Sequence, residues 1–308
     1  MEMMKIIYKQ IVNSIIIITV LVSVSTGRGI YANEVRSESV ININEKIINN
    51  KDVSISDERL REVINVELGK SLDNTDFTKE ELESIEMIEA RYRDIESLEG
   101  IENCINLKSL NLGSNKIEDI TALINLTKLE SLFLVDNSII DISSIGTLKN
   151  LKLLQISHNK ISDISALGGL SNLSRLYIEH NEIGDIKPLV KLKNLEEVSL
   201  KENRVNDISC LEELIIRNSS LYMDITNQSI VLESENIISG ETISIDNNIK
   251  DINGDIIEPI NISDSGEYDR ESNKVQWNNV KEGSVLSYQF LSKHNNFTGI
   301  VKKSLPFY

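Results

Sequence analysis

Only two cysteines, three histidines and one tryptophan occur in 308 residues, and cations are outnumbered, 32 Lys and Arg against 48 Asp and Glu. Two cysteines cannot build a dense disulfide framework. Three histidines without metal-protease spacing, and the lack of a phosphate-cradling glycine loop, leave no recognisable catalytic constellation. A formal charge of −16 repels nucleic acid and anionic lipid. Beyond Val24 no apolar run is long enough to cross a bilayer. These gaps point away from an enzyme and from a nucleic-acid or membrane partner, and no cofactor is expected.

The first stretch reads as an export signal. Lys5 and Lys9 precede an apolar run from Ile11 to Val24, and small residues lead to Ala32 as the expected last residue before cleavage. Removing 1–32 takes away three cations and one acid, so the formal charge moves from −16 to −18. Residues 33–52 are polar and Asn-rich, a flexible lead. The segment Lys302–Tyr308 carries neither a hydrophobic tail nor a wall-sorting motif, so a secreted, unanchored monomer is expected.

What the chain has in abundance is a repeat. Leu107-x-x-Leu110-x-Leu112-x-x-Asn115-x-Ile117 returns from Leu129, Leu151, Leu173 and Leu195, always 22 residues on. Ile85, Ile88 and Ala90 start the same register one step earlier, giving six turns over 85–216. A fixed period in this range predicts a leucine-rich repeat solenoid with a parallel β-sheet on its concave face. Arg93 stands where Asn115, Asn137, Asn159, Asn181 and Asn203 stand later. Arginine can only donate, so the first turn is expected to be held by its N-terminal neighbour. Cys104 and Cys210 fall five rungs apart, about 24 Å, too far for the roughly 7 Å between Cα atoms that a disulfide allows.

The flanks differ from the repeats. Within 53–84, Asp57 is placed to cap a helix carrying Leu60, Val63, Ile64 and Leu68 on one face and stopped by Gly69. Thr78 and Glu81 form a capping box for a second helix. The pair would cover the apolar end of the solenoid. The repeat region is expected to close at 226, with Leu221–Thr226 as a last strand. Over 227–308, short strands at 230–232, 242–245, 256–262, 274–277, 285–291 and 297–301 predict an all-β, Ig-like sandwich with Trp277 in its core. That domain would cap the other end.

The cap series Leu60…Leu68-Gly69-Lys70…Thr75-Asp76-Phe77-Thr78 resembles that of the internalins of Gram-positive bacteria. So do the repeated Asp-Ile pairs at 119, 141, 163, 185 and 207. The series Thr226-Asn227-Gln228, Gly266-x-Tyr268, Trp277, Tyr288-x-Phe290 and Phe297-Thr298-Gly299 resembles the domain that follows their repeats. The resemblance runs from about 57 to 301. It implies a small secreted, virulence-associated protein that binds a host protein, whose identity does not carry over.

Alternate residues of each Leu-x-x-Leu-x-Leu unit point out of the concave sheet. There Phe133, Val135, Leu153 and Tyr177 cluster on three rungs with Gln155, Arg175 and Glu179 among them, the arrangement of an interface centre. A competing reading uses the row Tyr92, Ser114, Asp136, His158, His180, Glu202. Neighbouring His158 and His180, flanked by carboxylates, would suit a metal-dependent adhesin or enzyme. Two polar residues at a strand edge are the preferred account of that pair.

Overall fold

A computed structural model describes residues 53–234, 239–281, 283–293 and 296–306; the expected signal and polar lead, 1–52, lie outside the described residues. The chain from Asp52 onward forms one unit. Among the described residues no helix is long and apolar enough to cross a membrane.

The N-terminal cap is built as its sequence dictates. Helix α1 (Glu58–Glu67) is capped by Asp57, whose carboxylate accepts from Arg59 and Leu60 N–H, and it buries Leu60, Val63 and Ile64. It ends at Gly69, φ +63°, a left-handed position that glycine fills without a Cβ clash. Helix α2 (Lys79–Glu83) begins at Thr78 with both bonds of the capping box made. Val53 and Phe77 bridge the two ends of the cap.

Six three-residue strands then follow: β1 (Met87–Glu89), β2 (Ser109–Asn111), β3 (Ser131–Phe133), β4 (Leu153–Gln155), β5 (Arg175–Tyr177) and β6 (Glu197–Ser199). All pair in parallel with partners 22 residues apart. Tight 3-10 turns return the chain along the far side. Each turn stacks leucine and isoleucine on the next rung's equivalents, and Leu110, Leu132, Leu154 and Leu176 are wholly buried. Burying one such side chain is worth about 1.5–3 kcal/mol, so the repeated column supplies most of the stability. Cys104 takes a leucine's place in another inward column, that of Leu126, Leu148 and Leu170, and is buried, whereas Cys210 is half-buried, and both are free.

The last turn is longer. A short helix, α3 (Glu212–Arg217), adds three residues, and strand β7 (Tyr222–Leu232) pairs with β6 at a step of 25, Glu197 to Tyr222. Strand β7 does not stop at the expected boundary of 226/227. Its first part closes the solenoid sheet, and its second pairs in parallel with β12 (Phe297–Ser304), which pairs with β11 (Val285–Leu291). One nine-stranded sheet therefore runs β1-β2-β3-β4-β5-β6-β7-β12-β11, and a second sheet, β8 (Ile243–Asp246), β10 (Lys274–Trp277) and β9 (Glu267–Asp269), completes the Ig-like sandwich.

Trp277 is buried there and donates to Ser263 O at 2.8 Å. A Cβ on Gly266 would fall 2.4 Å from the Trp277 ring nitrogen, so that position takes only glycine. The expected strand 256–262 is instead two isolated bridges, at Ile256 and Ile260. Pro259 between them has no N–H to give to a ladder. The three-residue β9, polar and short, was not foreseen.

Candidate functional site

The concave surface is held by a row of amides, half-buried at Asn115, Asn137 and Asn159 and buried at Asn181 and Asn203. Asn137 Oδ1 accepts the N–H of Ile117 on the preceding rung at 3.0 Å, while its Nδ2 donates to Leu112 O at 3.0 Å and to Leu134 O and Val135 O of its own bend. Asn159, Asn181 and Asn203 repeat this pattern. Each asparagine thus closes the turn before it. The first turn is accordingly held from its C-terminal side, where Asn115 Oδ1 accepts from Arg93 and Ile95 N–H. This corrects the expectation of an N-terminal hold alone. The cap still contributes, because Asp57 Oδ2 accepts from Glu96 and Ser97 N–H. Arg93 is tolerated since no repeat precedes it for an amide to close.

A second ladder was missed in the sequence. Asn106, Asn150, Asn172, Asn194 and Asn218 each donate from Nδ2 to a carbonyl 23 residues back. Its signal was the recurrence of Asn just before the first leucine of the repeat at 106, 150, 172 and 194, while Asn218 stands three residues before Leu221. The Asp-Ile pairs serve the far side: Asp119, Asp141, Asp163, Asp185 and Asp207 each accept the N–H two residues on. The bond from Thr121 holds the Asp119 carboxyl below its ordinary range, and that from Ser165 does so for Asp163.

The row that suggested a metal site has a backbone explanation. Tyr92, Ser114, Asp136, His158, His180 and Glu202 all have φ between 51° and 59°. This left-handed residue makes the bend at the end of each strand, at a cost of about 1–2 kcal/mol for a non-glycine, offset from Ser114 onward by the asparagine amide that follows. The His158 and His180 rings stack at 3.9 Å with planes 18° apart, and His180 Nδ1 lies 3.0 Å from a Glu202 carboxylate oxygen. Imidazole binds a metal through an in-plane lone pair, and stacked rings aim those pairs side by side rather than at one point. Among the described residues no group of three His, Cys, Asp or Glu is arranged to hold an ion.

The residues expected at an interface do come together. Phe133, Gln155 and Tyr177 lie in one cross-strand row, and Leu153 and Arg175 are adjacent in the next. Val135 and Glu179 sit just past the strand ends. Arg175 is exposed, while the other six are half-buried, so the patch is shallower than the alternation alone suggests. Burial raises the Tyr177 hydroxyl pKa, and a hydrogen bond to Glu197 raises it further. Ser157 Oγ donates to the Glu179 carboxylate. Ion pairs Lys108–Glu86 and Lys152–Glu130 border the patch on the strand-entry side. Tyr222, 56% exposed, extends the outward column beyond Glu197. It escaped notice because the step there is 25, not 22.

Comparison with known proteins agrees with this architecture. The family model for leucine-rich repeats (two copies) matches residues 127–169 and 171–218, and that for the LRR-adjacent domain matches 254–304. Similar solved structures include an internalin (inlF) from Listeria monocytogenes, 31% identical over 59% of this chain and 58% of that one, TM-score 0.47. The chain therefore spans little more than half of that relative. An internalin C2 (inlC2) from the same species is 27% identical over 57% of this chain and 84% of that one, TM-score 0.45. The secreted internalin-like protein Lmo2445, also from Listeria monocytogenes, shares the fold over 81% of this chain and 94% of its own, at 18% identity and TM-score 0.59. No curated protein sequence matches the chain.

Proposed function

Because the chain is an internalin-like leucine-rich repeat protein, we propose that it is a secreted, non-enzymatic binding protein that recognises a host protein through its concave face. The observation that carries this reading is the cluster of Phe133, Val135, Leu153 and Tyr177 on three adjacent rungs, with Arg175, Gln155 and Glu179 around it. Solvent-facing positions of a solenoid sheet need no apolar side chains for the fold, and a cluster of them bordered by charges has the composition of an interface centre. Export is supported by the basic-then-apolar N-terminal stretch, Lys5 to Val24. A virulence-associated role and a host target rest on the resemblance to internalins. High negative charge disfavours self-association and supports a monomer.

Residues 33–308, immobilised, test the reading by capture from host-cell surface and host lysate separately. One specific protein should be retained, and Phe133→Ala with Tyr177→Ala should release it while Lys149→Ser on the far side does not. Retention that ignores the concave pair and is lost with Lys149→Ser would place the functional face elsewhere.

A further inference from the structure

The seam between the last repeat and the Ig-like domain contains the chain's only Asn-Gly pair, Asn253-Gly254. This segment lies against the solenoid: Ile208 N–H donates to Lys250 O at 3.1 Å, Lys250 N–H to Asn206 O at 2.9 Å, and Lys250 Nζ is 3.4 Å from an Asp207 carboxylate oxygen. A Cβ on Gly254 would come within 3.7 Å of Ser209 Cβ. The tip is an exposed turn in which Asp251 Oδ1 accepts from Asn253 and Asp255 N–H.

We propose that Asn253 is a site of spontaneous deamidation whose product charge loosens this seam. The reacting atoms are adjacent in the chain. Gly254 N, on losing its proton to solvent base, attacks Asn253 Cγ; the Cγ–Nδ2 bond breaks and the nitrogen leaves as ammonia, giving a cyclic imide. Water then opens the ring at Cγ to give aspartate, or at the main-chain carbonyl to give isoaspartate. The net change is one water consumed and one ammonia released. Glycine lacks the Cβ that would hinder the attacking nitrogen.

The structure selects this asparagine from many. The Asn253 carboxamide makes no hydrogen bond among the described residues, and its neighbourhood is exposed. Asn137 and Asn218, each followed by serine, have their carboxamides tied to backbone. Gly254 N–H is held by Asp251 O at 3.1 Å, so attack waits on local opening of a surface turn, the least protected kind of element. The new carboxylate would add a third negative charge to the short segment that already holds Asp251 and Asp255 and that carries Lys250, the partner of Asp207, and so would weaken the ion pair that fastens the seam.

Peptide mass spectrometry of the folded protein held in mildly alkaline buffer, with hydrogen exchange on the same samples, tests both parts. The peptide holding 251–255 should gain the amide-to-acid mass with a fraction of isoaspartate, while peptides holding Asn137 and Asn218 do not. Asn253→Gln should abolish the change. The aged protein and Asn253→Asp should lose protection at Ile208 and Lys250 N–H, with strands β2 to β5 unaffected. If Asn253 stays intact in the folded chain yet reacts after denaturation, the turn protects it and the site is refuted. If it reacts with protection unchanged at both amides, the effect on the seam is refuted.

Discussion

Gln228 Oε1 accepts the N–H of Val205 at 2.9 Å, and its Nε2 donates to Leu200 O, Ile225 O and Thr226 O. This is the closure that asparagine performs on every earlier rung, carried out by a longer side chain after a longer turn. Asn227, directly before it, has φ 60°, left-handed like His180 before Asn181 at 51°. The solenoid thus has a seventh rung, and the strand that carries it belongs equally to the next domain.

Gln228 is fully buried, so Gln228→Leu strands the Val205 N–H and takes a donor from Leu200 O, Ile225 O and Thr226 O, of which Leu200 O keeps Asn203 Nδ2 and Thr226 O keeps the Glu202 N–H. The expected loss is about 3 kcal/mol, given about 1–3 kcal/mol for a buried group left unsatisfied. Urea unfolding should show the midpoint falling with the slope unchanged. Gln228→Asn, which keeps the amide, should lose less.

Asp57 links the cap helix to the first turn with four N–H bonds. Burial pushes its pKa up, but the bonds from Glu96, Leu60, Ser97 and Arg59 pull it further down, so the net shift is downward. A lowered folded value means the stabilisation is complete above the unfolded pKa of about 3.9 and is lost as pH falls through the folded value. Asp57→Ala should cost about 1–2 kcal/mol at neutral pH and flatten the acid side of the stability profile. An unchanged acid limb in the variant would show that other carboxylates govern it.

Phe133→Ala and Tyr177→Ala should each weaken binding of a captured partner at least about tenfold, or 1.4 kcal/mol. Half-burial implies a stability cost of about 1 kcal/mol for each, from lost apolar contact. Titration calorimetry paired with thermal melts separates the two. Equal substitutions at Thr127 or Lys149 should alter neither.

Both thiols should resist alkylation in the native protein. Burial, with Glu102 nearby, lifts Cys104 to about 12; burial, with Asp207 and Asp185, lifts Cys210 to about 11. The thiolate is the reactive form. Iodoacetamide at mildly alkaline pH should label both only after urea is added, and native labelling of Cys104 would contradict its place in the core.

A chain ending at Thr226 should lose cooperative unfolding or aggregate. It would lack Gln228 and strand β12, leaving Ile225 and the edge of β7 open. If it melts as sharply as the longer chain, the Ig-like domain does not act as the second cap.

The repeat, its register and its inward columns were legible because a 22-residue step repeats one packing decision six times. Caps at Asp57 and Thr78 were legible because their side chains bond within three residues. The hold on the first turn was not, since which neighbour an asparagine serves depends on the direction its amide points across rungs. Tyr222 and the shared β7 were hidden by three residues inserted in α3, which break the period where the solenoid meets the sandwich. The outward position of the concave cluster was readable from alternation, but its half-buried depth depends on neighbours in the adjoining column, such as Glu197 against Tyr177.

The backward reach of the ladder gives the chain a direction of assembly. Each asparagine completes a turn already made, and the first turn also draws on Asp57, which lies before it in the sequence. A chain emerging from its N-terminus could therefore lay down rungs in order, each new one sealing the last over a separation of 20 to 25 residues. The bond from Asn227 N–H to Thr298 Oγ1 spans 71 residues instead. Long loops close slowly and local ones quickly. The rungs should form first and the strand β12 last, so the domain that seals the solenoid arrives after the solenoid it seals.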